Sequence, residues 1–142
     1  MRDRVDDNVA IEIHDSTLEC IESDGDALVA VFSAYVHRSS GRPGIDAGTG
    51  WSQTFHLRFR RGRANGNVDM VPIELLGGHV DASNERFENV IPMPFNDVGP
   101  AMIELHGWNG IHIVLEGEGV EATLIGEARY IETFSASEDS TK

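Results

Sequence analysis

The fold class is decided by the segment Trp51-Ser52-Gln53-Thr54-Phe55-His56-Leu57-Arg58-Phe59-Arg60, in which apolar or amide side chains alternate with polar or charged ones. Neighbouring residues of a strand point to opposite faces of a sheet, so this period of two predicts a strand with one buried and one solvated face. The run from Ala27 to Arg38 is apolar on both faces. It predicts a central strand that is covered on both sides, or one that bends between two sheets.

The same alternation, interrupted by turn residues, predicts strands along most of the chain. Beyond the two segments above, these strands cover residues 9–13, 17–23, 67–70, 73–81, 86–91, 101–106, 110–116 and 119–134, the last with a bend or bulge at Gly126. No segment has the pattern of an amphipathic helix, although residues 81–86 can form a helical turn. We therefore predict an all-β fold with little or no helix, an antiparallel β-sandwich or partly closed barrel of about 8–10 strands.

Turn residues predict how these strands pair. The sequence Trp108-Asn109-Gly110 fits a three-residue hairpin loop with Gly110 in the left-handed conformation. The predicted pairs across this loop are Leu105–Ile113 and Ile103–Leu115, and across the next turn, at residues 118–119, they are Leu115–Ala122 and Ile113–Leu124. All of these apolar side chains then share one face. The stretch Ser23-Asp24-Gly25-Asp26 likewise joins strands 17–23 and 27–38 as a hairpin.

Length and composition predict one domain that needs no disulfide bond to fold. The chain has 142 residues and a single cysteine, Cys20, so no disulfide can form within it. We expect residues 1–142 to form one β domain with an ordered core at about 9–134 and loosely held ends. The chain has no apolar run of membrane-spanning length, and its charged start lacks a signal peptide's apolar segment. We therefore expect a cytoplasmic protein.

The charge of the chain limits its partners. Eleven lysine and arginine residues face 24 aspartate and glutamate residues, which gives a net charge of −13. Such a chain repels phosphate backbones, so we expect no nucleic-acid binding. The same charge suits a basic protein partner.

A histidine pair is the best candidate for a metal site. The predicted hairpin register places His106 opposite His112, on the face that also carries Glu104 and Glu116. Two imidazoles beside carboxylates can bind zinc or another divalent metal, although polar residues on a solvated sheet face need no such role. A metal site needs a third and fourth ligand from elsewhere, for which the candidates are His37, His56 and His79.

Two other groups of residues suggest chemistry. Arg58 and Arg60 share the wet face of their strand with His56 and can bind an anion, or they can simply offset neighbouring carboxylates. The triplet His14-Asp15-Ser16 invites comparison with hydrolases. Adjacent strand residues point apart, however, so we expect a turn in which Asp15 and Ser16 bond to the local backbone.

The segment Ile113-Val114-Leu115-Glu116-Gly117-Glu118-Gly119-Val120 resembles a strand-turn-strand piece common in cupins. The cupin metal motif has a His-x-His followed by a glutamate before that turn, whereas this chain has only His106 and His112, six residues apart. The second cupin motif is also missing. The resemblance therefore implies a compatible β topology and neither a metal site nor an activity.

The segment His14-Asp15-Ser16-Thr17-Leu18, followed by residues 19–24 and the long strand 27–37, resembles the opening of several small bacterial β-domain families of unknown function. Some of those families are labelled immunity proteins of contact-dependent toxin systems. The resemblance implies a non-enzymatic β domain and makes toxin binding an option.

Together, these features predict a non-catalytic bacterial β domain that needs no cofactor and binds a protein partner or self-associates. No set of residues in the sequence makes a convincing catalytic centre. The alternative is a small metal- or ligand-binding β-barrel that uses His106 and His112.

Overall fold

The computed structural model describes residues 8–43 and 45–134 and consists almost entirely of strands. The eleven strands are β1 (Asn8–Asp24), β2 (Ala27–Ser39), β3 (Gly48–Phe59), β4 (Arg63–Gly66), β5 (Ile73–Ala82), β6 (Glu85–Glu88), β7 (Val90–Met93), β8 (Asn96–Asp97), β9 (Ala101–Gly107), β10 (His112–Gly117) and β11 (Val120–Phe134). The prediction of an all-β fold with little helix is confirmed. The predicted loose ends lie outside the described residues, except for Asn8, which begins β1.

Antiparallel pairing joins the strands into one open sheet with the order β4-β10-β9-β5-β1-β2-β3-β11-β8, while β6 pairs with β5 and β7 with β1. Among the described residues, no pairing joins the two end strands β4 and β8, so the sheet does not close into a barrel. One half of the sheet consists of β4, β10, β9 and β5, and the other of β1, β2, β3, β11 and β8. The two halves meet where Leu18 of β1 pairs with Ile73 of β5. Apolar side chains from both halves share one core, as in a sandwich.

The core follows the alternation in the sequence. Phe55, Leu57 and Phe59 of β3 are fully buried, whereas His56 and Arg58 between them are not. In the other half, the buried side chains include Ile103, Leu105, Ile113 and Leu115, the four that the hairpin register places on one face. The polar side chains of β9 and β10 are therefore left on the outer face of the sheet.

Short turns give the predicted hairpins. The β9–β10 register pairs Leu105 with Ile113 and Ile103 with Leu115, as predicted, and Gly110 is left-handed with φ 78°. The β1–β2 hairpin closes at Gly25, with φ 64°. The predicted bulge in the last strand is also present, since the register with β3 shifts at Gly126.

The predicted pairing of β10 with β11 is wrong. In the structure β10 pairs with β4 on its second edge, and Ala122 and Leu124 lie opposite Leu57 and Phe55 of β3. The chain crosses between the sheet halves after residue 117, where Glu118 N–H donates to the carbonyl of Arg60 and Arg60 N–H donates to the carbonyl of Gly119. Ala122 and Leu124 are partly buried and pack against the core beside β3 instead of beside β10.

Three smaller predictions are also corrected. Residues 68–70 form a single 3₁₀ turn and not a strand. Residues 81–86 form no helical turn but a hairpin, closed by Ser83 and Asn84, both with positive φ. Residues 9–13 and 17–23 belong to one strand, β1, because residues 13–16 are accommodated as a bulge against β2.

In the described part of the chain, no helix is long and apolar enough to cross a membrane.

Candidate metal centre

The outer face of the β9–β10 hairpin carries a cluster of two histidines and a glutamate. His106 of β9 lies directly across from His112 of β10, as the sequence predicts, and Glu104 lies two residues before His106 on the same face. Their backbones are fixed by the ladder, and Leu105 and Ile113 between them anchor the hairpin in the core. The three side chains therefore project from a rigid part of the sheet.

The ligand atoms of this cluster converge. Nε2 of His112 lies 2.6 Å from Oε2 of Glu104, and Nε2 of His106 lies 3.6 Å from the same oxygen. The two imidazole rings are 5.2 Å apart between centroids and tilted by 31°. One donor atom from each of the three residues lies within 4.8 Å of the others.

The glutamate at the centre is held ionised by its neighbours. The hydrogen bond with His112 lowers the pKa of Glu104 most, and the charges of His112, His79 and His106 act in the same direction. Partial desolvation opposes this shift. Glu104 is therefore a carboxylate at neutral pH, the form that binds a cation.

A third imidazole reaches the same glutamate from β5. His79 lies opposite Glu104 in the β5–β9 ladder, and its Nε2 is 3.3 Å from Oε1 of Glu104 and 3.8 Å from Oδ2 of Asp81. This nitrogen is buried and, among the described residues, makes no hydrogen bond. Of the three further histidines that the sequence offers as ligands, His79 is the one beside the cluster.

The remaining candidate ligands point elsewhere. His37 is buried, with Nδ1 3.1 Å from Oε2 of Glu12. His56 belongs to β3, in the other half of the sheet. Glu116 shares the outer face of the hairpin but binds Arg63 at 3.0 Å. In the described part of the chain, the cluster therefore consists of Glu104, His106 and His112, with His79 behind them.

Of the three residues predicted to bind an anion, His56 and Arg58 lie on β3, whereas Arg60 lies in the turn that follows it, and both arginines are engaged. Arg58 binds Asp24 at 2.7 Å, and Arg60 donates to the carbonyls of Glu118 at 3.0 Å and Val98 at 3.4 Å. Both arginines line a groove of about 750 Å³, whose walls also carry Asp26, Asp97 and Glu121. Carboxylates in the walls disfavour an anion, and anion binding at His56, Arg58 and Arg60 stays a prediction.

The His14-Asp15-Ser16 triplet lies in the bulge of β1. This bulge brings the adjacent side chains of His14 and Asp15 within 3.1 Å, so the expectation that they point apart is wrong. Ser16 is buried, and its hydroxyl donates to the carbonyl of Glu12 and accepts from Tyr35 N–H, a local backbone bond of the predicted kind. A hydroxyl held in this way is not a nucleophile.

Glu12, which the sequence reasoning missed, joins this second cluster. Its Oε1 lies 3.7 Å from Nε2 of His14. The Asn89 side-chain amide contacts Nδ1 of His14, while Nε2 faces Asp15. With Nδ1 of His14 taken by the Asn89 amide, a proton on Nε2 pairs with Asp15, and the ring then has no lone pair to offer a metal ion.

The main cluster differs in that respect, because among the described residues Nδ1 of His106 and Nδ1 of His112 make no hydrogen bond, and the two side chains are 48% and 44% exposed. Each ring can carry its proton on Nδ1 and turn the Nε2 lone pair toward the glutamate.

Comparison of the chain with protein-family models, curated proteins and solved structures finds no match. The resemblances to cupins and to immunity-protein families therefore stay predictions.

Proposed function

We propose that the protein binds a divalent transition-metal ion on the outer face of the β9–β10 hairpin. The ligands are Nε2 of His106, Nε2 of His112 and the carboxylate of Glu104. The observation that carries the proposal is the convergence of these donor atoms within 4.8 Å of one another. An ion between them would replace the direct bond between His112 and Glu104.

The donor set selects the class of metal. Imidazole nitrogen suits zinc, copper, iron and nickel, whereas calcium and magnesium prefer sites made of oxygen alone. Two imidazoles and one carboxylate leave at least one position of a tetrahedral ion for water or another ligand. The net charge of −13 favours the local accumulation of cations.

His79 supports the proposed site from the inside. Its buried Nε2 faces Oε1 of Glu104, the oxygen that His112 does not hold. With a proton on Nε2, His79 can donate to that oxygen and orient the carboxylate, as the outer partners of metal ligands commonly do. This role would explain a buried imidazole nitrogen that otherwise makes no hydrogen bond among the described residues.

The proposal is tested by titrating tag-free protein with Zn²⁺ in a calorimeter. The double substitution His106→Gln/His112→Gln should weaken the binding at least about tenfold, because the remaining carboxylate alone is a poor zinc ligand. His56→Gln is the matched control, since it removes an imidazole from the other half of the sheet. Zn²⁺ should also raise the melting temperature of the unsubstituted protein.

Either of two results with the unsubstituted protein and the double variant would reject the metal site. One is an absence of Zn²⁺ binding by the unsubstituted protein at neutral pH. The other is a Zn²⁺ isotherm that the double substitution leaves unchanged. A loss of binding in His56→Gln as large as in the double variant would likewise place the ion elsewhere.

Association with a basic protein partner, or self-association, is the second candidate function. It is supported by the exposed apolar side chains of β11, which include Ile125, Tyr130 and Ile131. The bacterial origin, the cytoplasmic location and the absence of nucleic-acid binding stay predictions from the sequence.

A further inference from the structure

The outer edge of β11 is the longest unpaired strand edge in the described part of the chain. β8 covers only Val120 and Glu121, and Ala122 N–H still donates to the carbonyl of Phe95. Within residues 8–43 and 45–134, the stretch of β11 from Thr123 to Phe134 pairs with a strand only on its β3 side. Such an edge leaves N–H and C=O groups free to pair with another strand.

Exposed apolar side chains are concentrated on this same segment. Ile125, Tyr130 and Ile131 are 39%, 56% and 47% exposed. An edge strand that is both long and apolar tends to pair with another chain, unless charge or irregularity prevents it. The segment carries little net charge, because Glu127 and Glu132 are offset only by Arg129.

The bulge at Gly126 restricts what can pair with the edge. Between Ile125 and Arg129 the register with β3 shifts, and residues 126–128 have no partner residue on β3. A bulge of this kind deters a regular strand, which cannot follow the irregular backbone. A second copy of β11 carries the same irregularity, so a two-fold axis at this bulge places the two bulges opposite each other. The register with β3 shifts once more at Ile131, further from the axis.

We propose that the protein forms a homodimer by antiparallel pairing of β11 with β11 of a second copy, with the two-fold axis at Ala128. This register gives the cross-strand pairs Glu127–Arg129, Gly126–Tyr130, Ile125–Ile131, Leu124–Glu132 and Thr123–Thr133, each of them formed twice. The carboxylate of Glu132 accepts a hydrogen bond from Tyr35 of its own chain, so it needs no partner across the contact. Opposite charges face each other, and isoleucines pair with isoleucines, as stabilising cross-strand pairs require. The interface is isologous, since the same residues are contributed by both copies.

The charges of Glu127 and Arg129 are available for this contact. Among the described residues, neither side chain forms an ion pair or a hydrogen bond within its own chain. Dimerisation brings together two chains of charge −13, and this repulsion opposes the contact. We therefore expect a reversible dimer that is weaker at low salt, because salt screens the long-range repulsion.

The test is multi-angle light scattering coupled to size-exclusion chromatography, in EDTA to remove any metal bridge. Over about a hundredfold range of concentration, the mass of the unsubstituted protein should rise from one chain toward two. Arg129→Glu should weaken the dimer at least about tenfold, since it places like charges opposite each other twice. The exchange Glu127→Arg/Arg129→Glu should restore it.

Arg42→Glu is the matched control, because it makes the same change of net charge at an exposed residue outside β11. A strictly monomeric protein over the whole range would overturn the proposal. The same holds if Arg129→Glu behaves like Arg42→Glu, or if the charge exchange fails to restore the dimer. EDTA and the intact β9–β10 cluster make this result independent of the metal proposal.

Discussion

The position of a single side chain could be predicted from the sequence only where a short turn fixes it. His106 faces His112 because a three-residue loop leaves one register for the hairpin. The approach of His79 to Glu104 depends on pairing between β5 and β9, which no local signal reveals. The contact between His14 and Asp15 was missed because nothing in their sequence marks the bulge that rotates them together.

One residue-scale prediction concerns the Asp81–Arg86 pair, in which both guanidinium nitrogens Nε and Nη2 donate to the carboxylate, at 2.8 and 3.0 Å. These bonds lower the pKa of Asp81, against a smaller desolvation effect. Arg86→Gln should therefore raise the pKa of Asp81 toward its ordinary value of about 3.9. Carboxyl carbon chemical shifts in an NMR titration measure it directly.

The sign of the pH dependence follows from the lowered pKa of Asp81. The stability that the ionised carboxylate contributes is present above the unfolded pKa, and it is lost as the pH falls through the native pKa. Arg86→Gln should remove this contribution, so that unfolding in acid begins at a higher pH. Arg42→Gln, which breaks the separate Arg42–Asp46 pair, should leave the titration of Asp81 unchanged.

At the scale of the elements, the existence of the strands could be predicted but their order could not. The alternation along residues 119–125 requires an apolar neighbour and does not say which one. Ala122 and Leu124 satisfy it against Leu57 and Phe55 of β3 as well as they would against β10. The pairing is set by contacts with residues far from β11 in sequence, among them the two backbone bonds at Arg60 that continue the β3–β11 ladder.

Two adjacent glycines of β5 give an element-scale prediction. A methyl group on Gly78 would overlap the carbonyl oxygen of Glu104 on β9, whereas a methyl group on Gly77 would find its nearest atom at 3.7 Å. Gly78→Ala should therefore destabilise the protein by about 1–3 kcal/mol, because the β5–β9 ladder must shift. Gly77→Ala should be much closer to neutral.

Urea unfolding followed by circular dichroism measures both variants. Equal free energies of unfolding for Gly78→Ala and Gly77→Ala would contradict the close approach of β5 to β9. Because Glu104 lies at that approach, the Gly78 variant should also weaken Zn²⁺ binding if the proposed site is correct.

At the scale of the whole molecule, the two sheet halves are joined through β1. Leu18 is fully buried and pairs both with Phe32 of β2 and with Ile73 of β5. The sequence could predict that Leu18 is apolar and in a strand, but not that it holds two halves together, since residues 18 and 73 are far apart along the chain. Because Leu18 is buried where the two halves meet, we expect the folding of one half to depend on the folding of the other.

The contact between Leu18 and Ile73 predicts that the two halves of the sheet unfold together. Trp51 belongs to β3 in one half, and Trp108 to the β9–β10 loop in the other, so their indole N–H signals in NMR spectra report on each half separately. Both native signals should disappear at the same urea concentration, because apolar side chains from both halves form one core. Leu18→Ala should lower both midpoints equally, at a cost of about 2–5 kcal/mol. Different midpoints for the two tryptophans, or a Leu18→Ala effect confined to one of them, would mean that each half has its own stability and that β1 does not couple them.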